Sequence, residues 1–168
     1  MDDLKRKIRI WLIVFMTFLV LSGATAFVLE WETKVLNAWA QPDSFLAVLF
    51  PNLASWIIHI HEGVHVTYKH YPFMAYGTDW LAFAHIVIAI AFVGPLRDPI
   101  KNIWVIKFGM ISCILVIPLA LICGMIRGIP LFWRLIDCSF GVFGFIPLSI
   151  SYRYIKQLEK IIGNRVSF

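Results

Sequence analysis

Apolar residues in this chain gather into long unbroken runs instead of the strict alternation of a half-buried strand. A basic cluster (Lys5, Arg6, Lys7, Arg9) gives way to an apolar run from Ile10 to about Leu29. Later runs are punctuated by Gly94-Pro95 and by Gly128-Ile129-Pro130. The pattern predicts four membrane-spanning helices at about 9–29, 79–94, 103–127 and 131–153, on the scale of the ~20 residues that cross a bilayer core. Pro118 predicts a kink in the third. The start of the chain has the look of a signal peptide, with Ala24-Thr25-Ala26 as a cleavage site. Its apolar run is long enough to span, so it is read as an uncleaved first helix.

One stretch has a different period. With Leu53 at 0° and steps of about 100°, Trp56, Ile57, Ile60, Val64 and Tyr68 fall within about 60° of it. His61 and His65 lie at about 80° and 120°, Glu62 at about 180°, and His59 and His70 near 240° and 260°. This predicts an amphipathic helix over about 52–69, started by Pro51. Residues 30–44 read as a polar, acidic-leaning connection, with Trp31 and Trp39 at headgroup level. Residues 71–78 read as an aromatic interfacial loop, and Asp79 as the cap of the helix that follows.

Charge then decides how many runs cross. Both chain ends are rich in Lys and Arg, the C-terminal one through Arg153, Lys156, Lys160 and Arg165. The positive-inside rule places both in the cytoplasm, which requires an even number of spans. The amphipathic helix is therefore interfacial or re-entrant. Arg97 and Lys101 become cytoplasmic and residues 30–78 face outward. Arg127 and Arg134, on the outer side, run against the rule. The expected class is an all-α integral membrane protein, a single domain of four transmembrane helices plus one interfacial helix.

Composition agrees. Of 168 residues, 60% are hydrophobic and 15% charged, with a mean hydropathy of +0.80. Soluble domains have roughly 45–50% apolar and about 25% charged residues. The net charge of +5 sits at membrane edges and forms no nucleic-acid-binding face. Cys113, Cys123 and Cys138 all fall in apolar runs without C-x-x-C spacing, which predicts buried free thiols.

The candidate chemistry lies in His61-Glu62-Gly63-Val64-His65. Histidines four apart on a helix share a face and can converge on one ion, and the intervening glutamate can reach water beside it. In this topology His85 lies about 9 Å below the outer edge, at 1.5 Å per residue. Asp137 lies at similar depth, and Asp79 stands at the edge itself. Ionisable residues inside a membrane mark sites or paired contacts. His61 and His65 are thus candidate ligands, Glu62 the candidate general base, and His85, Asp137 or Asp79 the candidate third ligand. The plainer readings are a solvated helix face for the motif, a core histidine for His85, a cap for Asp79 and an Arg134 ion pair for Asp137.

The five-residue motif resembles that of the zincin-type membrane metallopeptidases. The resemblance implies Zn²⁺ held by His61 and His65, with Glu62 taking a proton from water activated by the ion. It stops there. The only glutamate downstream of His65 is Glu159, and Tyr68 and Tyr71 stand where metzincins have Gly and His. Leu135-Ile136-Asp137-Cys138 only loosely echoes the Leu-Asp-Gly of site-2-type intramembrane proteases.

Three functions compete. The first is a zinc-dependent membrane hydrolase, probing the outer leaflet for a lipid, lipid-linked or transmembrane peptide substrate. The second is a non-catalytic subunit that docks on a membrane-protein partner. The third is a haem-binding bundle, which a Soret band would reveal. Small size points to a bacterial inner membrane.

Overall fold

The computed structural model describes residues 2–166, with side chains described to Gly163. Met1, Ser167 and Phe168, and the side chain of Arg165 in the basic tail, lie outside the described set. Every regular element among the described residues is helical. In chain order these are α1 (Asp2–Phe27), α2 (Leu29–Trp39), α3 (Phe45–Leu49), α4 (Pro51–His70), a 3₁₀ turn (Pro72–Met74), α5 (Ala75–Ala91), α6 (Val93–Arg97), α7 (Ile103–Ile126) and α8 (Leu131–Val166).

Among the described residues, four stretches are long and apolar enough to cross a membrane: Asp2–Phe27, Pro72–Arg97, Ile103–Ile126 and Leu131–Gly163. Their large apolar side chains stay mostly uncovered by protein, among them Phe18, Ile90, Leu119 and Phe143. Isolated exposed apolar residues are ordinary, but continuous apolar helix surface needs a lipid phase to cover it. The chain is an all-α protein of the membrane-spanning kind.

Contacts divide the chain into two units. The first combines the chain up to Phe18 with everything from Ile88 onward. Its centre is the α7–α8 hairpin. At the turn, Gly128 takes φ +71°, which a side chain would resist. The Ile129 N–H reaches the Gly124 carbonyl at 2.9 Å and the Gly128 N–H that of Met125 at 3.2 Å. That pairing closes a helix C-terminus in the Schellman manner, and Pro130 prevents continuation. Along the hairpin, the α-carbon of Gly141 rests against the Cys113 carbonyl so closely that a Cβ would collide with it. Ile8, Leu12 and Phe15, spaced along one face of α1, are buried in this unit, and Phe15 meets Phe92 at 4.8 Å between ring centres. The loop to α7 is tied by Asn102, whose amide donates to the carbonyls of Gly94 (3.2 Å) and Asp98 (2.9 Å).

The second unit, Leu19–Val87, is built round α4, with α2 and α3 packed on it. Ser44 caps α3 by accepting from the Ala47 N–H at 3.1 Å. Pro51 occupies the first turn of α4, as its fixed φ favours.

Four local expectations change. Residues 30–44 are no simple connection, because Leu29, Thr33, Leu36 and Ala40 form a helical stripe that α2 turns inward; Thr33 and Ala40 are buried. Asp79 is not a cap, since α5 begins earlier, at Ala75, and Asp79 lies inside it. Helix α8 runs on past Tyr154 to Val166, because Ile155 and Leu158 are buried one turn apart and Lys156 pairs with Glu159 at 2.7 Å. Finally, all three cysteines are free, but Cys123 is exposed on α7 while Cys113 and Cys138 are buried.

Candidate functional site: a histidine ledge on two helices

Helix α4 carries His61 and His65 on neighbouring turns, with ring centres 6.0 Å apart and the rings stacked at 28°. The face of α4 that packs is centred on Ala54 and Ile57, which are buried. His61 lies close to that centre and is half-buried, His65 stands further round and is exposed, and Glu62 is exposed on the far side. The helical phase of the motif thus sets two degrees of solvent contact, His61 half-covered and His65 and Glu62 open.

Helix α2 supplies what the motif lacks. The His65 Nδ1 lies 3.0 Å from Oε1 of Glu30, and the His61 Nδ1 lies 3.4 Å from Oγ1 of Thr33. Glu30 and Thr33 are three apart on α2, so both face the same stripe of α4. The Thr33 hydroxyl donates to the Glu30 carbonyl at 3.0 Å. Its proton is committed, so its oxygen accepts from His61. The Glu30 carboxylate also only accepts. With its proton on Nδ1, each ring donates to its oxygen neighbour and leaves the Nε2 lone pair free. Metal-ligating histidines are held in this way: the ring N–H bonds an oxygen, which fixes tautomer and orientation for the other nitrogen.

Among the described residues, no hydrogen bond or ion pair joins the other sequence candidates to His61 or His65. His85, on α5, points its Nδ1 at the Leu81 carbonyl of its own helix at 2.7 Å and lies directly against α1 at Gly23. Asp79 sits within α5, half-exposed. Asp137 lies on α8, in the other unit. The Asp137–Arg134 ion pair is not formed among the described residues. Arg134 turns instead to the Leu121 carbonyl, to which Nη1 donates at 3.2 Å, and its Nε is buried without a partner. His59 lies beside Trp56, with ring centres 5.4 Å apart, and His70 beside Tyr71. Among the described residues, no three His, Cys, Asp or Glu side chains converge as a set able to hold a metal ion.

Glu30 and Thr33 were not expected at the site. The signal was there as Glu30 and Thr33 in i, i+3 spacing on a stripe with Leu36 and Ala40. Glu32 and Lys34, interleaved with them, masked the helical period.

Comparison of the chain with protein-family models, with curated proteins and with solved structures finds no match. The function has to be argued from the ledge itself.

Proposed function

We propose that the chain is a membrane metal-dependent hydrolase, with zinc as the ion, anchored through Nε2 of His61 and His65. The observation that supports this is the pair of oxygen-bound Nδ1 atoms on one helix face, an arrangement that keeps both Nε2 atoms available. The donor set fits a borderline divalent ion at two positions. Catalytic zinc sites take three ligands from protein, of which His61 and His65 would supply two. A bound ion supplies Lewis acidity, acidifying water and polarising a carbonyl or phosphoryl oxygen.

The chain's own residues have distinct parts in this reading. Glu62, exposed and adjacent to His61, accepts the proton from the attacking water. Glu30 and Thr33 are positioning residues that hold the two rings. Tyr71, Phe73 and Tyr76, exposed just beyond α4, place the ledge at the membrane boundary, where such rings gather. The substrate class that follows is a lipid, a lipid-linked molecule or a transmembrane peptide. The basic chain ends place both termini in the cytoplasm, and a bacterial inner membrane is the proposed location.

Metal analysis of the purified chain tests the reading. One equivalent of zinc in the wild type, lost in His65→Ala, is the expected result; a wild type without stoichiometric metal ends it.

A second reading is favoured by the exposure of Glu62 and the two-donor ledge: a non-catalytic subunit whose α4 docks on a membrane-protein partner. It requires co-purification with a larger assembly and indifference to Glu62→Gln.

A further inference from the structure

A cavity of about 260 Å³ opens in the unit that contains both chain ends, lined from three separate segments. Helix α1 contributes Lys5, Ile8 and Arg9, α6 and its following loop contribute Arg97, and α8 contributes Leu158 and Ile162. Its floor is apolar: Ile8 and Leu158 are almost wholly buried. Its rim carries three cations. Among the described residues none of the three makes an ion pair, whereas neighbouring Arg6 and Lys7 are both engaged by Asp3 at 3.3 and 2.7 Å. Asp98 also lines the cavity, but its carboxylate is turned to Lys101, accepting from the backbone N–H at 3.1 Å and lying 3.7 Å from Nζ.

Position along the chain gives the level. Arg9 is the last charged residue before the apolar run of α1, and Arg97 closes the second apolar stretch. The cations thus stand where apolar helix surface ends, at the depth of lipid phosphates. We infer that this cavity binds the phosphate-bearing headgroup of an anionic phospholipid. Arg9 and Arg97 offer forked donors to phosphate oxygens, Lys5 a third charge, and Ile8, Leu158 and Ile162 an apolar bed for the glycerol end. The volume lies just below the ~300 Å³ at which small-molecule pockets begin, so it accepts a headgroup and leaves the acyl chains in the bilayer. Basic pockets between spanning helices recognise lipid headgroups on these terms.

The test uses the full chain in nanodiscs of phosphatidylcholine carrying graded phosphatidylglycerol, with bound phospholipid identified by mass after exchange into detergent. Retention of phosphatidylglycerol over phosphatidylcholine by the wild type is expected. Preference should fall roughly 5-fold in Arg97→Gln and about 100-fold in the variant with Lys5, Arg9 and Arg97 all changed to Gln. Arg97→Lys should keep most of it, and Lys34→Gln with Lys69→Gln, remote in sequence, should keep all of it. Should the triple variant fail to fold, Arg9→Gln and Arg97→Gln decide singly. Equal retention of the two lipids, or equal loss in the Lys34/Lys69 variant, would overturn the inference. So would inorganic phosphate displacing the lipid at millimolar concentration, which would mark a site for a soluble anion.

Discussion

The α7–α8 hairpin and the α2–α4 pair solve the same problem, holding one helix on another, by opposite means. In the hairpin the contact is shape: Gly141 lets α8 settle on the backbone of α7 at Cys113, with Leu148 and Ile106 buried nearby. Lipid tails are as apolar as these side chains, so only close packing distinguishes the helix partner from the solvent. In the α2–α4 pair the contact includes chemistry: Glu30 and Thr33 meet His65 and His61 across the seam. A polar seam of that kind is demanding, because each group left without its partner raises the cost of the whole. The hairpin depends on the fit of its surfaces; the pair depends also on which polar atoms meet.

That contrast can be broken at four places. On the hydrolase reading, the largest effect is expected from Glu62→Gln, a change that leaves both helix pairs as they are. Hydrolysis should fall roughly 10²- to 10⁴-fold, the range for losing a general base. Product release from a lipid-linked or peptide substrate measures it, and full activity with metal still bound removes Glu62 from catalysis. Next, Glu30→Ala should weaken zinc binding about 10- to 100-fold through His65 without touching a ligand. Competition against a chromogenic chelator reads this directly, and an unchanged affinity would show that the α2 seam is packing alone.

The third concerns shape. Gly141→Val should destabilise the hairpin by about 1–3 kcal/mol, since the added carbons meet backbone that cannot rotate away. Thermal unfolding in detergent measures it, and zinc affinity should be unaffected. The smallest effect runs the other way. Gly63 lies in the middle of α4 with open space where a Cβ would sit, so Gly63→Ala should stabilise the helix by roughly 0.5–1 kcal/mol. A loss of stability there would mean that the exposed face of α4 is covered by a partner.

Much of the fold was legible as a sequence because the bilayer demands long apolar segments. The predicted starts at Ile103 and Leu131 coincide with those of α7 and α8, and the predicted 52–69 helix is α4 to within a residue at each end. The failures have separate local causes. In α2 the inward stripe ran through Thr33, a residue that a hydropathy reading scores as polar although it is buried. Past Tyr154 the helix persists on the alternate burial of Ile155 and Leu158, after the apolar run has ended. Asp79 was placed at a helix start by its residue type, but the preceding 3₁₀ turn at Pro72–Met74 begins the helix sooner.

What the sequence determined by itself was the solvent: runs of this length and apolarity have only a lipid phase in which to be stable, and the spacing of His61 and His65 put two imidazoles on one helix face. What only the tertiary structure decided was their company. Nothing in the order of residues says that Glu30 and Thr33 will meet a helix beginning at Pro51. That depends on which faces of α2 and α4 bury each other, a choice made by packing between segments. The same holds for Lys5, Arg9 and Arg97, far apart in the chain and brought to one cavity by the burial of Ile8 and Leu158.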